Sequence, residues 1–124
     1  MSTGYIPGTC NIGPAEIKRR QGAAIIGFLA MVILGGILLA QHASTGLRTV
    51  IFIPAMLFAT GWIQARSKFC LAFGFSGTFN FGKLGELSKI QSPEDKAADR
   101  RTALMILGRA LLLAIVITLI FILL

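Results

Sequence analysis

Few side chains in this 124-residue chain could do chemistry: Cys10, Cys70, His42, Arg109 and a run of phenylalanines. Two thiols could form a redox pair, a sulfur relay or half of a metal site. A disulfide needs Cα atoms within about 7 Å, and disulfides are rare in the cytosol. Zinc takes about four ligands, and two Cys with one His fall short, so no metal is expected. Cys10 and Cys70 therefore stand between a thiol function and a structural role. His42, the sole histidine, could be an axial ligand for haem or a chlorin magnesium, or a solvated turn residue. Five of the nine Phe residues fall between 69 and 81. They could stack on a quinone or pigment, or anchor an interfacial segment. No Ser-His-Asp set and no phosphate-binding loop is present. The expectation is a non-enzyme with no cofactor.

Composition says where these residues sit. Hydrophobic residues make up 55% of the chain and charged residues 14%, against roughly 25% charged in a soluble domain. Residues 22–40 carry no charge, and at about 1.5 Å per residue they reach close to the roughly 30 Å of a hydrocarbon core. Residues 49–63 form a second apolar run with Pro54 inside it, where a kink is expected. Residues 102–124 form a third, interrupted by Arg109. A charge inside a span is costly, so Arg109 is either a partner contact or a side chain that snorkels to the headgroups. No Asp or Glu lies within these runs, which disfavours an ion-coupled transporter.

Helix starts are legible as well. Gly13-Pro14-Ala15-Glu16 places Pro at the first helical position and an acid in the first turn. Ser92-Pro93-Glu94-Asp95 repeats the pattern with Ser92 as the cap. Gln41 to Gly46 reads as a short turn. The small residues Ala23/Gly27, Ala55/Ala59, Gly61/Ala65 and Ala110/Ala114 recur four apart, which suits close helix packing in lipid. The four segments are 1–13 (irregular and exposed), 14–66 (transmembrane helical hairpin), 67–91 (cytoplasmic interfacial or re-entrant segment and loop) and 92–124 (C-terminal helix with the last span). No cleavable signal peptide is expected, the first span being a signal-anchor.

The net charge of +7 comes from 12 basic and 5 acidic residues. In a soluble protein it would suggest nucleic acid. Here three basic residues precede residue 22 and seven lie in residues 64–101. By the positive-inside rule the N-terminus and residues 64–101 face the cytoplasm, and the C-terminus lies outside. Lys18, Arg19, Arg20, Arg66 and Lys68 form a lipid-facing basic collar that meets anionic headgroups, and nucleic acid is not an expected partner.

Asn11-Ile12-Gly13, Glu16 and Lys18-Arg19-Arg20 lead into a Gly/Ala/Ile helix, and a second helix ends at Phe69-Cys70 before Gly74. Over residues 10–75 this resembles the small two-helix membrane domain of unknown function found alone or fused to rhodanese sulfurtransferases. The resemblance implies a self-associating helical hairpin with a cysteine near the end of its second helix. Leu71 stands where that family usually has Pro, and residues 83–124 have no counterpart in it.

The expected fold is all-α integral membrane, with three transmembrane helices and an interfacial or re-entrant segment. The expected function is that of an accessory or scaffold subunit in the bacterial inner membrane, joined to other subunits or to itself. The alternative is a redox or sulfur-handling module using Cys10 and Cys70, and a further one is a pigment, haem or quinone subunit using His42.

Overall fold

The computed structural model describes residues 5–124. Three helices are long and apolar enough to cross a membrane: Pro14–Ala40, Thr45–Ser67 and Pro93–Leu123. The fold is the expected all-α membrane architecture. Helix α1 (Pro14–Ala40) begins with Pro14 in its first turn after Gly13. The chain turns over residues 41–44, shorter than expected because Ser44 already caps the next helix, its Oγ accepting from the Leu47 amide at 3.2 Å.

The second span has three parts: α2 (Thr45–Arg48), a 3-10 turn (Thr49–Ile51) and α3 (Phe52–Ser67). The tightened turn lies just before Pro54, whose ring clashes with the carbonyl four residues back and cannot donate to it. The expected irregularity is therefore local and sits at residues 49–51. Lys68 ends α3 in the left-handed region at φ 54°, and the Phe69 amide returns to the Gln64 carbonyl at 3.1 Å. Glycine normally takes this position.

Residues 69–82 do not cross. Cys70 leads into the short helix α4 (Leu71–Ser76), and strand β1 (Thr78–Phe79) pairs antiparallel with β2 (Ser88–Lys89). Helix α5 (Pro93–Leu123) starts where expected, with Ser92 Oγ accepting from the Asp95 amide at 3.3 Å.

Helix α3 packs against both α1 and α5, and α4 packs on α5. The interior is built from small side chains. Ala55, Ala59, Ala110 and Ala114 are fully buried, so the small pairs on α3 and α5 are used within one chain. A Cβ on Gly27 would lie 2.5 Å from the Phe58 amide nitrogen, and one on Gly61 2.7 Å from that of Ala24. The backbones of α1 and α3 touch at both points. Leu38, Ile51 and Phe121 fill one end of the bundle, and Phe69, Ala103 and Ile106 the other. Outside, Ile25, Ile33, Ile53 and Leu112 are each at least 60% exposed.

Candidate functional site

The N-terminal segment is irregular, as its composition suggests, but it is not exposed throughout. Asn11, Ile12 and Gly13 are buried. The Asn11 side chain acts as a short strand edge for Cys70. Its Oδ1 accepts from the Cys70 amide at 2.7 Å, and its Nδ2 donates to the Cys70 carbonyl at 3.3 Å. Its backbone amide donates to the Lys68 carbonyl at 3.1 Å, and its carbonyl accepts from the Asn80 amide at 3.0 Å. The Gly13 amide then donates to the Asn80 carbonyl at 2.8 Å. Gly13 permits this approach, since a Cβ there would meet Phe81 Cα at 2.8 Å. Polar composition predicted exposure here, but Asn11 and Gly13 find backbone partners on the α3–α4 turn and at Asn80, just after β1.

Beside this junction lies a charged network. Glu16, in the first turn of α1, is 1% exposed. Its Oε1 pairs with Arg20 Nη1, one turn on, and its Oε2 accepts from Asn80 Nδ2 at 3.0 Å. Arg20 Nη2 donates to Cys70 Sγ at 2.7 Å, and its guanidinium lies 5.6 Å from the Phe73 ring centroid. Asn80 also donates to the Lys83 carbonyl at 2.8 Å and accepts from the Gly82 amide at 2.9 Å. Gln64 Oε1 accepts from the Leu71 amide at 2.9 Å, satisfying the start of α4. Among the described residues, no buried side-chain nitrogen or oxygen lacks a partner.

A second clamp fastens the segment to α5. Asp99 is fully buried. Its Oδ1 accepts from the Gly8 amide at 2.6 Å and its Oδ2 from the Tyr5 hydroxyl at 2.8 Å. Thr102 Oγ1 donates to the Gly8 carbonyl at 2.5 Å. Tyr5 stacks on Phe79 at 4.7 Å between centroids. Burial, and then the Asp99 carboxylate, hold the Tyr5 hydroxyl above its usual range.

The residues singled out from sequence fall into three groups. Cys10 and Cys70 are both free thiols at this end. Cys70 is buried against Arg20, and half-buried Cys10 points its Sγ toward the Ile12 carbonyl at 3.7 Å. Of the five residues expected to form a headgroup collar, Lys18, Arg19, Arg66 and Lys68 are exposed. Arg20 departs from the collar and turns inward, because Glu16 sits one helical turn before it and offers a carboxylate. Four of the clustered phenylalanines are engaged within the chain: Phe69 in the core, Phe73 under Arg20, and Phe79 and Phe81 beside Tyr5 and each other.

His42 and Arg109 stand apart. His42 is exposed with φ 52° just past the C-terminal end of α1, while the phenylalanines gather at its N-terminal end. Arg109 lies on the exposed face of α5, off the buried stripe of Ala103, Ile106 and Ala110. About 10 Å of helix separates it from Thr102 at 1.5 Å per residue.

Sequence reasoning met Asn11 only through the resemblance and did not single out Tyr5, Gln64, Asn80 or Asp99. Compared with family models, curated proteins and solved structures, the chain matches none.

Proposed function

We propose that the chain is a small non-catalytic membrane subunit whose basic end docks on an acidic face of a larger assembly in the bacterial inner membrane. The reading keeps the N-terminus and residues 64–101 cytoplasmic and the C-terminus outside. One observation supports it most. Of the ten basic residues before residue 22 and in residues 64–101, nine are exposed, and only Arg20 turns inward. Two of the five acids, Glu16 and Asp99, are buried in the internal network. Burying them, with Arg20 beside Glu16, leaves nine exposed basic residues at this end against the three remaining acids, Glu86, Glu94 and Asp95. Such a surface steers association with acidic partners.

Purification in mild detergent followed by mass spectrometry tests this. A larger partner should co-purify in fixed ratio and be released as ionic strength rises from about 0.1 M to about 1 M, where the screening length falls from roughly 10 Å to roughly 3 Å. Recovery of the chain alone at low salt would count against the reading.

A second reading, thiol chemistry, draws on the Arg20 guanidinium placed on Cys70 Sγ. It expects Cys10→Ser and Cys70→Ser to share a phenotype that Arg20→Gln reproduces. Independent or silent variants would remove it.

A further inference from the structure

The lipid-facing side of the α1–α3 seam carries an aromatic ladder. The Phe28 and Phe58 rings lie 5.9 Å apart, the Phe58 and Trp62 rings 5.9 Å apart, and the Arg66 guanidinium 5.5 Å from the Trp62 ring centroid. Phe58, Trp62 and Arg66 are successive turns of one face of α3. Across the seam, Gln21, Ala24 and Ile25 of α1 form the opposite wall. Two hollows of about 410 and 320 Å³ lie between them and share Ala24, Ile25 and Trp62, so they form one groove.

The groove is graded. Its inner stretch is lined by Ala24, Ile25, Phe28, Phe58 and Trp62. Its mouth adds Gln21 and Arg66, both exposed, at the basic end of the bundle. From Phe58 to Arg66 it runs about 12 Å along the helix at 1.5 Å per residue. One leaflet contributes about 15 Å of the roughly 30 Å hydrocarbon core. Among the described residues the Arg66 side chain makes no ion pair or hydrogen bond. The ring beneath it orients its planar guanidinium and leaves its N–H groups for an anion, since Arg pairs with phosphate through two parallel N–H···O bonds.

We propose that this groove is a binding site for one anionic glycerophospholipid. An acyl chain lies along Ile25, Phe28, Phe58 and Trp62, and the phosphate sits on Arg66 with Gln21 as a second donor. An apolar helix of another protein would find the inner stretch congenial but would meet a guanidinium at the mouth. A phospholipid matches both ends. The site stands independently of the subunit reading above.

Trp62 is the only tryptophan in the chain, so its fluorescence reports on this groove alone. The full chain is placed in vesicles holding phosphatidylglycerol or phosphatidylcholine brominated on the acyl chains, each varied over the same range of mole fractions. The phosphatidylglycerol probe should quench Trp62 at lower mole fraction. Arg66→Gln should cut that preference about fivefold, the value of one basic side chain near an anionic headgroup. Lys89→Gln, exposed on β2, should leave it unchanged. Equal quenching by both probes in the unaltered chain overturns the proposal. So does an equal loss in Arg66→Gln and Lys89→Gln, which would mark a diffuse field. Absence of quenching by either probe overturns it too, since protein, such as a second copy, would then cover the groove.

Discussion

Replacing Glu16 with Gln removes the charge at the centre of the polar network and keeps its shape. Glutamine has one acceptor oxygen, and its NH2 group cannot accept from either Arg20 Nη1 or Asn80 Nδ2. Asn80 retains the Lys83 carbonyl at 2.8 Å, so the loss falls on Arg20. That side chain is 13% exposed and keeps Cys70 Sγ and the Phe73 ring, neither of which is a carboxylate. Removing one partner of a buried ion pair costs about 3–5 kcal/mol. Partial exposure and the aromatic contact put this case near about 3 kcal/mol, roughly a hundredfold in the local opening equilibrium. Cys70 is 1% exposed, so its alkylation requires that opening. In a Cys10→Ser background, maleimide labelling of Cys70, normalised to the unfolded chain, should accelerate about a hundredfold when Glu16 is replaced by Gln, provided reclosing outpaces labelling. A rate within about threefold of the unaltered background, less than about 1 kcal/mol, would refute the assignment of Glu16 as the charge that holds Arg20 in place.

Gly61→Ala should destabilise the bundle by about 1–3 kcal/mol relative to Gly36→Ala, because only the former forces backbones apart. Thermal unfolding in detergent measures the difference, and equal midpoints would mean that α1 and α3 do not touch there. The sole tyrosine offers a pH test. Its hydroxyl is raised by burial and by Asp99, so the stability it contributes is complete below the free-tyrosine value of about 10 and is lost as pH rises through the higher folded value. Tyrosinate absorbance should therefore appear above the free-tyrosine midpoint and move down in Asp99→Asn; a free-tyrosine midpoint in the unaltered chain would show that the clamp is not formed. Ser92→Ala should cost about 1 kcal/mol in the same thermal assay, the usual value of a lost helix cap, and no change would show that Pro93 alone starts α5.

The spans and both helix starts were legible because they are local. An uncharged run, a Pro in a first turn and a Ser before Pro93 each act within a few residues of themselves. The break at residues 49–51 follows from Pro54 in the same way. The polar junction was not legible, because its partners are far apart in sequence. Asn11 meets Cys70, Glu16 meets Asn80, and Asp99 meets Gly8. Nothing in the neighbours of Asn11 distinguishes a residue that serves another backbone from one that serves water. The available signal was weak: Glu16 and Arg20 stand at i, i+4 spacing on a helix, which pairs opposite charges. That spacing is why Arg20 left the collar that Lys18 and Arg19 keep.

Biosynthesis orders these contacts. The backbone and side-chain partners of Asn11 lie at Lys68, Cys70 and Asn80, and at translation rates of about 5–20 residues per second they emerge some 3–14 seconds after it. Through that interval the first helix must enter the bilayer with its head unassembled. Glu16 and Arg20 need no later partner to neutralise each other, since they share one turn of the same helix. The nascent first span therefore carries its own counter-ion, and the hairpin and last helix arrive to close over a pair already formed.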